Sequence, residues 1–417
     1  MPLKWNLIYF VILFAVLQIL LTPPEHSYKA DVVVRATELR PKTLKPCFTE
    51  HERCEAVRLV VMRLLNKQHL ESRIGPIEFA DAFMCVVVAI RGTAGEDKEL
   101  TRHYFHPGKT EAQRPARLDF IPRFDLHVAW MSETFARVKW KPPVGSMEVV
   151  TGQAVYLYNG DDACVLPRDI YEELDRMGVK AMFMNGLVDD DRHVLVPDTD
   201  FISTKGHKET RAKMHTRMRQ IDWDEKKPTA VFRGSSTGGN PTPGRLYEIP
   251  RLRLGAMMQL PEFEGMLLDA GVTQIVQSTD KWATEMEARK LGMLQNPISD
   301  DLMAANYKIV LDVDGNANSW SGSYWKLASG SLTLKVMCEY RQWWYNLIEP
   351  WVHYVPVKCD MSDLAEMIKW SLNSANAAMV KTIIMNSTRL METITWDRYL
   401  DEFAERFSKD IYECEII

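Results

Sequence analysis

The chain has 417 residues, enough for two domains of ordinary size, and its 46% apolar and 26% charged residues are the make-up of a folded globular protein. A formal net charge of −5, with no long run of Lys or Arg, argues against a nucleic-acid partner. None of the seven cysteines sits in a Cys-x-x-Cys pair or a Cys/His cluster, which argues against structural zinc; Cys47 and Cys54 are close enough to bridge across a turn.

In chain order, "KWNLIYFVILFAVLQILL" (4–21) comes first, with no charge after Lys4 and a stop at Pro23-Pro24. Apolar on every face and near bilayer-spanning length, it predicts an uncleaved signal-anchor over 1–24, with residues 5–21 in the membrane. The catalytic part of a single-pass type II protein would then lie in the lumen of the Golgi or endoplasmic reticulum. Residues 25–50 read as a polar stem. "CEAVRLVVMRLL" (54–65) puts Val57, Val60, Val61, Leu64 and Leu65 on one helical face. A buried strand follows at 82–90, and 91–145 has no readable period. "QAVYLYNGDD" (153–162) reads as a strand that stops at Asn159-Gly160-Asp161-Asp162. A helix over 168–178 follows, with Ile170, Leu174 and Met177 on one face and a glycine stop; 192–201 is a short strand.

The charged stretch 205–228 marks a domain junction, so an N-terminal domain over 51–220 meets a C-terminal one over 221–375. Strands are predicted in the latter at 229–232, 272–278, 306–316, 330–336 and 353–358. Asp360 and Ser362 can cap a helix striped by Leu364, Met367, Ile368 and Leu372. Helices over 376–417 close the chain and pack back across the domains; they carry the sequon Asn386-Ser387-Thr388. Strands alternating with helices on both sides of the junction predict two α/β domains with mainly parallel sheets, whose ligands bind at the strands' carboxyl ends.

Three stretches carry chemistry at such ends. In "VFRGSSTGGNPTPGRLYEIPRLRL" (231–254), Gly234, Gly238 and Gly239 allow close backbone approach and Ser235, Ser236 and Thr237 offer hydroxyls. Arg233, Arg245 and Arg251 offer guanidinium forks, the mixture that phosphate oxygens need. The glycines spell neither a P-loop nor GxGxxG. In "YKIVLDVDGNANSWSGSYWKLASGSLTLKV" (307–336), Asp312 and Asp314 share a strand face and admit an Asp-x-Asp reading, with a divalent cation bridging a nucleotide diphosphate. The loop from Asn316 to Ser321 reads better as amide and hydroxyl donors around one aromatic. Third, Asp161 stands where a general base for an acceptor hydroxyl would sit, or is turn chemistry beside Asp162.

These stretches, with "WWYNLIEPWVHYVPVKCDMSDLAEMIKW" (343–370), resemble the core of glycosyltransferase family 90, which includes lipopolysaccharide-modifying enzymes, protein O-glucosyltransferases and fungal capsule xylosyltransferases. Order and spacing agree over about 225–375. The resemblance implies a GT-B fold: two Rossmann-like domains facing across a cleft, and inverting transfer of glucose or xylose from UDP-glucose or UDP-xylose to a hydroxyl of a protein or glycan. It implies no metal and no cofactor. It assigns catalysis to Asp161 and nucleotide-sugar binding to Arg233, Gly234, Ser235, Arg245, Arg251, Asp314, Gly315, Asn316, Ala317, Asn318, Ser319, Trp320, Ser321 and Lys326. Many members carry an arginine just after the loop aromatic; here Trp320 is followed by Ser321, Gly322 and Ser323, leaving Lys326 or Arg233 to supply the charge. A catalytically inactive lumenal sugar- or protein-binding homologue and a metal-dependent Asp-x-Asp transferase are the alternatives.

Overall fold

The computed structural model describes residues 45–46, 56–57, 59, 83–91, 97–104, 120–140, 151–159, 166, 168–187, 194–265 and 267–415. The expected signal-anchor, the Cys47–Cys54 pairing and Asp161 lie outside these residues. Among the described residues no helix is long and apolar enough to cross a membrane.

The N-terminal half is built on β1 (Lys45–Pro46), β2 (Phe83–Arg91), β3 (Asp97–Tyr104), α1 (Phe120–Ala136), β4 (Thr151–Asn159), α2 (Arg168–Arg176), β5 (Val179–Phe183), β6 (Asn185–Leu187), β7 (Val194–Leu195), α3 (Thr199–Ser203) and α4 (Lys208–Gln220). Its sheet is mixed, a correction to the expectation of a mainly parallel one. β4, β5 and β7 run parallel, but β2 pairs antiparallel with both β3 and β4. The short β2–β3 connection leaves no room for the crossover that a parallel pair needs. The charged junction is itself helical: it forms α4, followed by a short 3-10 turn at Trp223–Glu225.

The C-terminal half contains β8 (Lys227–Ser235), α5 (Pro250–Met257), β9 (Leu268–Gln274), α6 (Lys281–Lys290), α7 (Asp300–Asn306), β10 (Tyr307–Asp312), α8 (Ser321–Leu327), β11 (Leu332–Met337), β12 (Tyr340–Gln342), β13 (Val355–Lys358) and α9 (Leu364–Leu372). Its five-stranded sheet is wholly parallel, in the order β13-β11-β10-β8-β9. Both faces are covered, so the strands read as near-continuous apolar runs; Ile309, Leu311, Leu332 and Leu334 are buried. The strand expected at 272–278 begins four residues earlier, at Leu268. At α9 the residue before the helix is Asp363, whose carboxylate accepts from the Lys358 N–H, while Asp360 accepts from the N–H of Ser362. A disulfide joins Cys338, just past β11, to Cys359 after β13.

The chain then returns. α10 (Ala377–Thr393) leads into α11 (Trp396–Asp410), which lies on the N-terminal sheet, and β14 (Tyr412–Glu415) adds to β4. Phe403 and Phe407 pack edge-on against Trp130 at 5.0 and 5.9 Å, and Arg137 pairs with Asp397 and Asp401. One core therefore runs from Val86, Trp130 and Tyr156 through Phe407 and Met391 to Tyr324 and Trp344. A second core underlies the parallel sheet alone.

Candidate active site

In a 2-1-3-4-5 order, β8 and β10 are neighbours whose connections leave in opposite directions. Their carboxyl-end loops diverge, and the crevice between them is where ligands bind in such sheets. The loop after β8 turns through Thr237 and Gly238, the latter at φ 111°, a conformation that favours glycine. Ser236 anchors its base: the N–H donates to the Gln274 carbonyl at 3.1 Å, and the buried hydroxyl accepts from the Val276 N–H at 2.8 Å.

Arg251, second residue of α5, braces both loops. Its Nη1 donates to Thr237 Oγ1 at 2.7 Å and to the Ser235 carbonyl at 3.4 Å. Its Nε and Nη2 donate to the Val313 carbonyl at 3.2 and 2.9 Å, and Nε reaches the Asp314 carbonyl at 3.1 Å. Burial lowers the guanidinium's pKa, with Asp314 and Asp312 opposing. The loops meet again where the Gly238 N–H donates to Asn316 Oδ1 at 3.2 Å. A Cβ on Gly315 would lie 2.7 Å from Thr237 Oγ1 and 3.1 Å from Arg251 Nη2, so this approach requires glycine. The resulting cavity, about 270 Å³, is lined by Thr237, Arg251, Gly315, Asn316 and Trp320, and by Asp200 of the N-terminal half. A larger cavity of about 830 Å³, against α5 and the end of α6, shares none of these residues.

Beneath the loop after β10 lies a buried ionic knot. Asp312 accepts from Lys326 at 3.0 Å, Lys335 at 2.9 Å, Ser323 at 2.7 Å, and Ser319. Burial pushes this carboxyl up, but the two ammonium groups outweigh it and hold it well below the usual carboxylate range. Asp314 is buried too, with Lys335 3.9 Å away and no hydrogen-bond partner for Oδ1; burial pushes it up to about 6. Both oxygens of Asp312 are therefore committed to lysines and serines.

Among the described residues, the loop also touches the N-terminal half at three points. Ser321 Oγ donates to Asp200 Oδ2 at 2.6 Å, and the Asn318 amide donates to Asn185 Oδ1. The third contact is the Arg123 guanidinium carbon, 5.1 Å from the centroid of the Trp320 ring. Asn185 is presented by β6, which pairs antiparallel with β12 across the two halves; Gln342 of β12 donates to Asn318 Oδ1 at 2.7 Å and to the Trp320 carbonyl at 2.9 Å. Trp320 has φ 49° and ψ −130°, which for a non-glycine residue costs about 1–3 kcal/mol and is found where surrounding contacts fix it.

Of the residues expected from sequence, Arg251, Gly315, Asn316, Asn318, Ser319, Trp320 and Ser321 converge on the cavity wall. Ser235 joins them through its carbonyl, Gly234 lies beside it on β8, and Ala317 and Asp314 are buried behind the wall. Arg233 fastens β8 to β9: Nη2 meets Asp269 Oδ1 at 2.6 Å and Nε donates to the Asn296 carbonyl at 2.8 Å. Arg245 is paired with Glu248 on an exposed turn. Lys326 is buried on Asp312. The stand-in charges expected from Lys326 and Arg233 are thus both spent on internal carboxylates. Sequence reading missed Asp200, Asn185 and Arg123, which lie far away in the chain; Asp200 falls in the stretch 192–201 expected to be a strand, but the strand is only Val194–Leu195 and Asp200 belongs to α3.

Fold and crevice define a mixed α/β protein with a cavity at the carboxyl ends of parallel strands. The model of glycosyl transferase family 90 matches residues 158–401, more than half of the chain, and the chain belongs to that family. Similar curated proteins include human protein O-glucosyltransferase 3, 32% identical over 149 residues (36% of this chain, 25% of that one). Rat protein O-glucosyltransferase 1 is 27% identical over 203 residues, 46% of this chain and 45% of that one. An uncharacterized protein of Invertebrate iridescent virus 3 is 30% identical over 182 residues, 41% of this chain and 15% of its own. The chain thus spans less than half the length of each of these relatives. Among solved structures, a glycosyltransferase from Rickettsia africae ESF-5 is similar at 11% identity and TM-score 0.36, covering 60% of this chain and 68% of that one. Scores this low establish no shared function.

Proposed function

We propose that this protein is an inverting, metal-independent glycosyltransferase of GT-B architecture. It would move glucose or xylose from a UDP-sugar to a hydroxyl of a protein or glycan. The observation that carries the reading is the Arg251 brace: one guanidinium holds the two loops of a switch-point crevice around a cavity floored by glycine and walled by Trp320. The names of the protein O-glucosyltransferases favour glucose and a protein acceptor.

In this reading Asp161 takes the proton of the acceptor hydroxyl as that oxygen bonds to the anomeric carbon. The bond from that carbon to the diphosphate breaks, and UDP leaves with the electron pair. Its growing charge is met by Arg251, the Thr237 hydroxyl and the N–H groups of the loop after β8. Fixed positive charge then does the work of a cation, in keeping with an Asp312 whose oxygens are held by Lys326 and Lys335.

The test is a donor screen with purified protein, scoring UDP release with and without EDTA. Transfer from UDP-glucose or UDP-xylose should survive chelation; activity lost in EDTA and restored by Mn²⁺ would refute metal independence. Asp161→Asn should abolish transfer while UDP binding stays within about twofold, and a mild loss of turnover would remove Asp161 as the base. A second reading, a nucleotide-sugar-binding homologue without turnover, is favoured by one observation: Lys326 and Arg233 are both engaged away from the cavity.

A further inference from the structure

This inference rests on the proposed UDP-sugar reading and concerns where the sugar lies. Among the described residues that line the cavity, Arg251 and Asp200 are the only ionisable ones. They grip one loop at different points. Arg251 bonds to the Val313 and Asp314 carbonyls where the loop leaves β10, and Asp200 bonds to Ser321 where it enters α8. A diphosphate belongs with the guanidinium, because a carboxylate repels it. The Asp200 side of the cavity therefore suits an uncharged, hydroxyl-rich part of the ligand. In the proposed reaction that part is the transferred sugar: it must lie between the diphosphate and a base of the N-terminal half, the half to which Asp200 belongs.

Asp200 is held to accept a hydrogen bond. The Asp198 carboxylate caps α3 by accepting from the Phe201 N–H at 2.9 Å, and the Thr204 hydroxyl donates to the Asp200 carbonyl at 2.6 Å. Phe201 is buried against Trp343 and Trp396, which fixes the turn that carries Asp200. Oδ2 accepts from Ser321 Oγ at 2.6 Å, so the carboxylate is fastened by one oxygen. No described residue donates to Oδ1. An ionised carboxylate can only accept, and the groups on a sugar that donate to it are hydroxyls. Trp320, next to Ser321 on the same wall, adds an aromatic surface of the kind on which sugar rings pack.

We propose that Asp200 binds the transferred sugar and sets the donor specificity of the site. Its Oδ1 accepts from a sugar hydroxyl while Oδ2 stays on Ser321. Neutral sugars such as glucose and xylose are admitted. A sugar that carries its own carboxylate, such as glucuronic acid, is refused, because two like charges would share one wall of a small cavity.

The experiment titrates UDP, UDP-glucose and UDP-glucuronate into the wild-type protein and into the Asp200→Ala and Asp200→Asn variants, and reads each sugar nucleotide relative to UDP. Loosening the loop by losing the Ser321 bond changes all three ligands alike, so the ratio isolates the sugar contact. A lost charge-assisted bond should weaken UDP-glucose relative to UDP about ten- to a hundredfold in Asp200→Ala. Asp200→Asn keeps the shape and an acceptor for Ser321 but removes the charge. It should tighten UDP-glucuronate relative to UDP by about tenfold, and it is the readout if the alanine variant does not fold. Ratios unchanged in both variants, or UDP and UDP-glucose weakened equally, would overturn the assignment while leaving the proposed function standing. A wild-type protein that binds no UDP overturns both.

Discussion

The Arg251 brace can be tested by adding one methyl group. Gly315 does not occupy the left-handed backbone region, so Gly315→Ala carries no conformational penalty; a compatible Gly→Ala change stabilises by about 0.4–1 kcal/mol through the unfolded chain. The new Cβ would nevertheless meet Thr237 Oγ1 at 2.7 Å, Arg251 Nη2 at 3.1 Å and its Cζ at 3.3 Å. Something must move, and both obstacles belong to one hydrogen bond, from Arg251 Nη1 to Thr237 Oγ1 at 2.7 Å. A bond to a charged donor contributes about 1.5–3 kcal/mol, so UDP affinity should fall roughly ten- to 150-fold. The melting temperature should fall by a few degrees as well, because the same bond braces the folded loops. Calorimetric titration of UDP measures the first, and circular dichroism the second. In an Arg251→Ala background the same methyl should cost almost nothing, a coupling that a double-mutant cycle reads directly. Unchanged UDP affinity in Gly315→Ala, or full additivity with Arg251→Ala, would refute the claim that Arg251 holds the phosphate end of the ligand.

Asp312→Asn should destabilise the fold by about 3–5 kcal/mol in urea denaturation, since Lys326 and Lys335 are left buried without the carboxylate that neutralises them; a loss below about 1 kcal/mol would contradict the ionic knot. Asp198→Asn should do the opposite, and only at high pH. Burial, with Asp200 adding, pushes the Asp198 carboxyl from 3.8 up to about 7, so the folded chain holds a proton that the unfolded chain releases near 3.8. Stability from this neutral acid is complete below that value and is lost as pH rises toward 7; the variant keeps the acceptor for the Phe201 N–H and should gain a few kcal/mol at pH 8 and nothing at pH 4. Burial holds the His127 and His207 pKa values down near 4 and 3, so the acid limb, where stability falls with pH from about 6.5, should remain in both proteins when melting is followed against pH.

Much of the parallel sheet was legible because both of its faces are buried: "YKIVLD" and "GSLTLKV" are apolar runs ended by turn residues, and periodicity needs no more. The N-terminal half was less so, for physical reasons. β3 reads "DKELTRHY", an edge strand whose charges guard an open ladder and hide its period. α1 has Pro122 in its first turn, where a missing N–H costs nothing but a reader expects a break. At the site, glycine spacing after β8 and β10 was enough to expect a crevice. The partner of each charge was not legible. Arg233 and Lys326 look equally able to meet a phosphate in the sequence, and only the fold shows that Asp269 and Asp312 lie within 3 Å of them. Such pairings depend on which strands become neighbours, a long-range outcome that local pattern does not carry.

The same dependence explains why the cavity belongs to the whole chain and not to the parallel sheet. The β8 and β10 loops and the Arg251 brace come from one half, but the far end of the loop, from Asn318 to Ser321, is held by Asn185, Asp200 and Arg123 of the other. Asp200 and Arg123 sit on elements that are in turn backed by the returning C-terminal helices. Phe201, next to Asp200, packs on Trp343, Trp396 and Tyr399, while α1, which carries Arg123, is clamped by Phe403, Phe407 and the Arg137–Asp397 pair. Because tightly packed cores move between discrete arrangements rather than deforming smoothly, a shift of α1 against the parallel sheet would carry Arg123 off Trp320. The positive-φ strain at Trp320 would then lose one of the contacts that hold it. Loop geometry and the register of the two halves are thus one variable, and a ligand that prefers the braced loop must also favour this register.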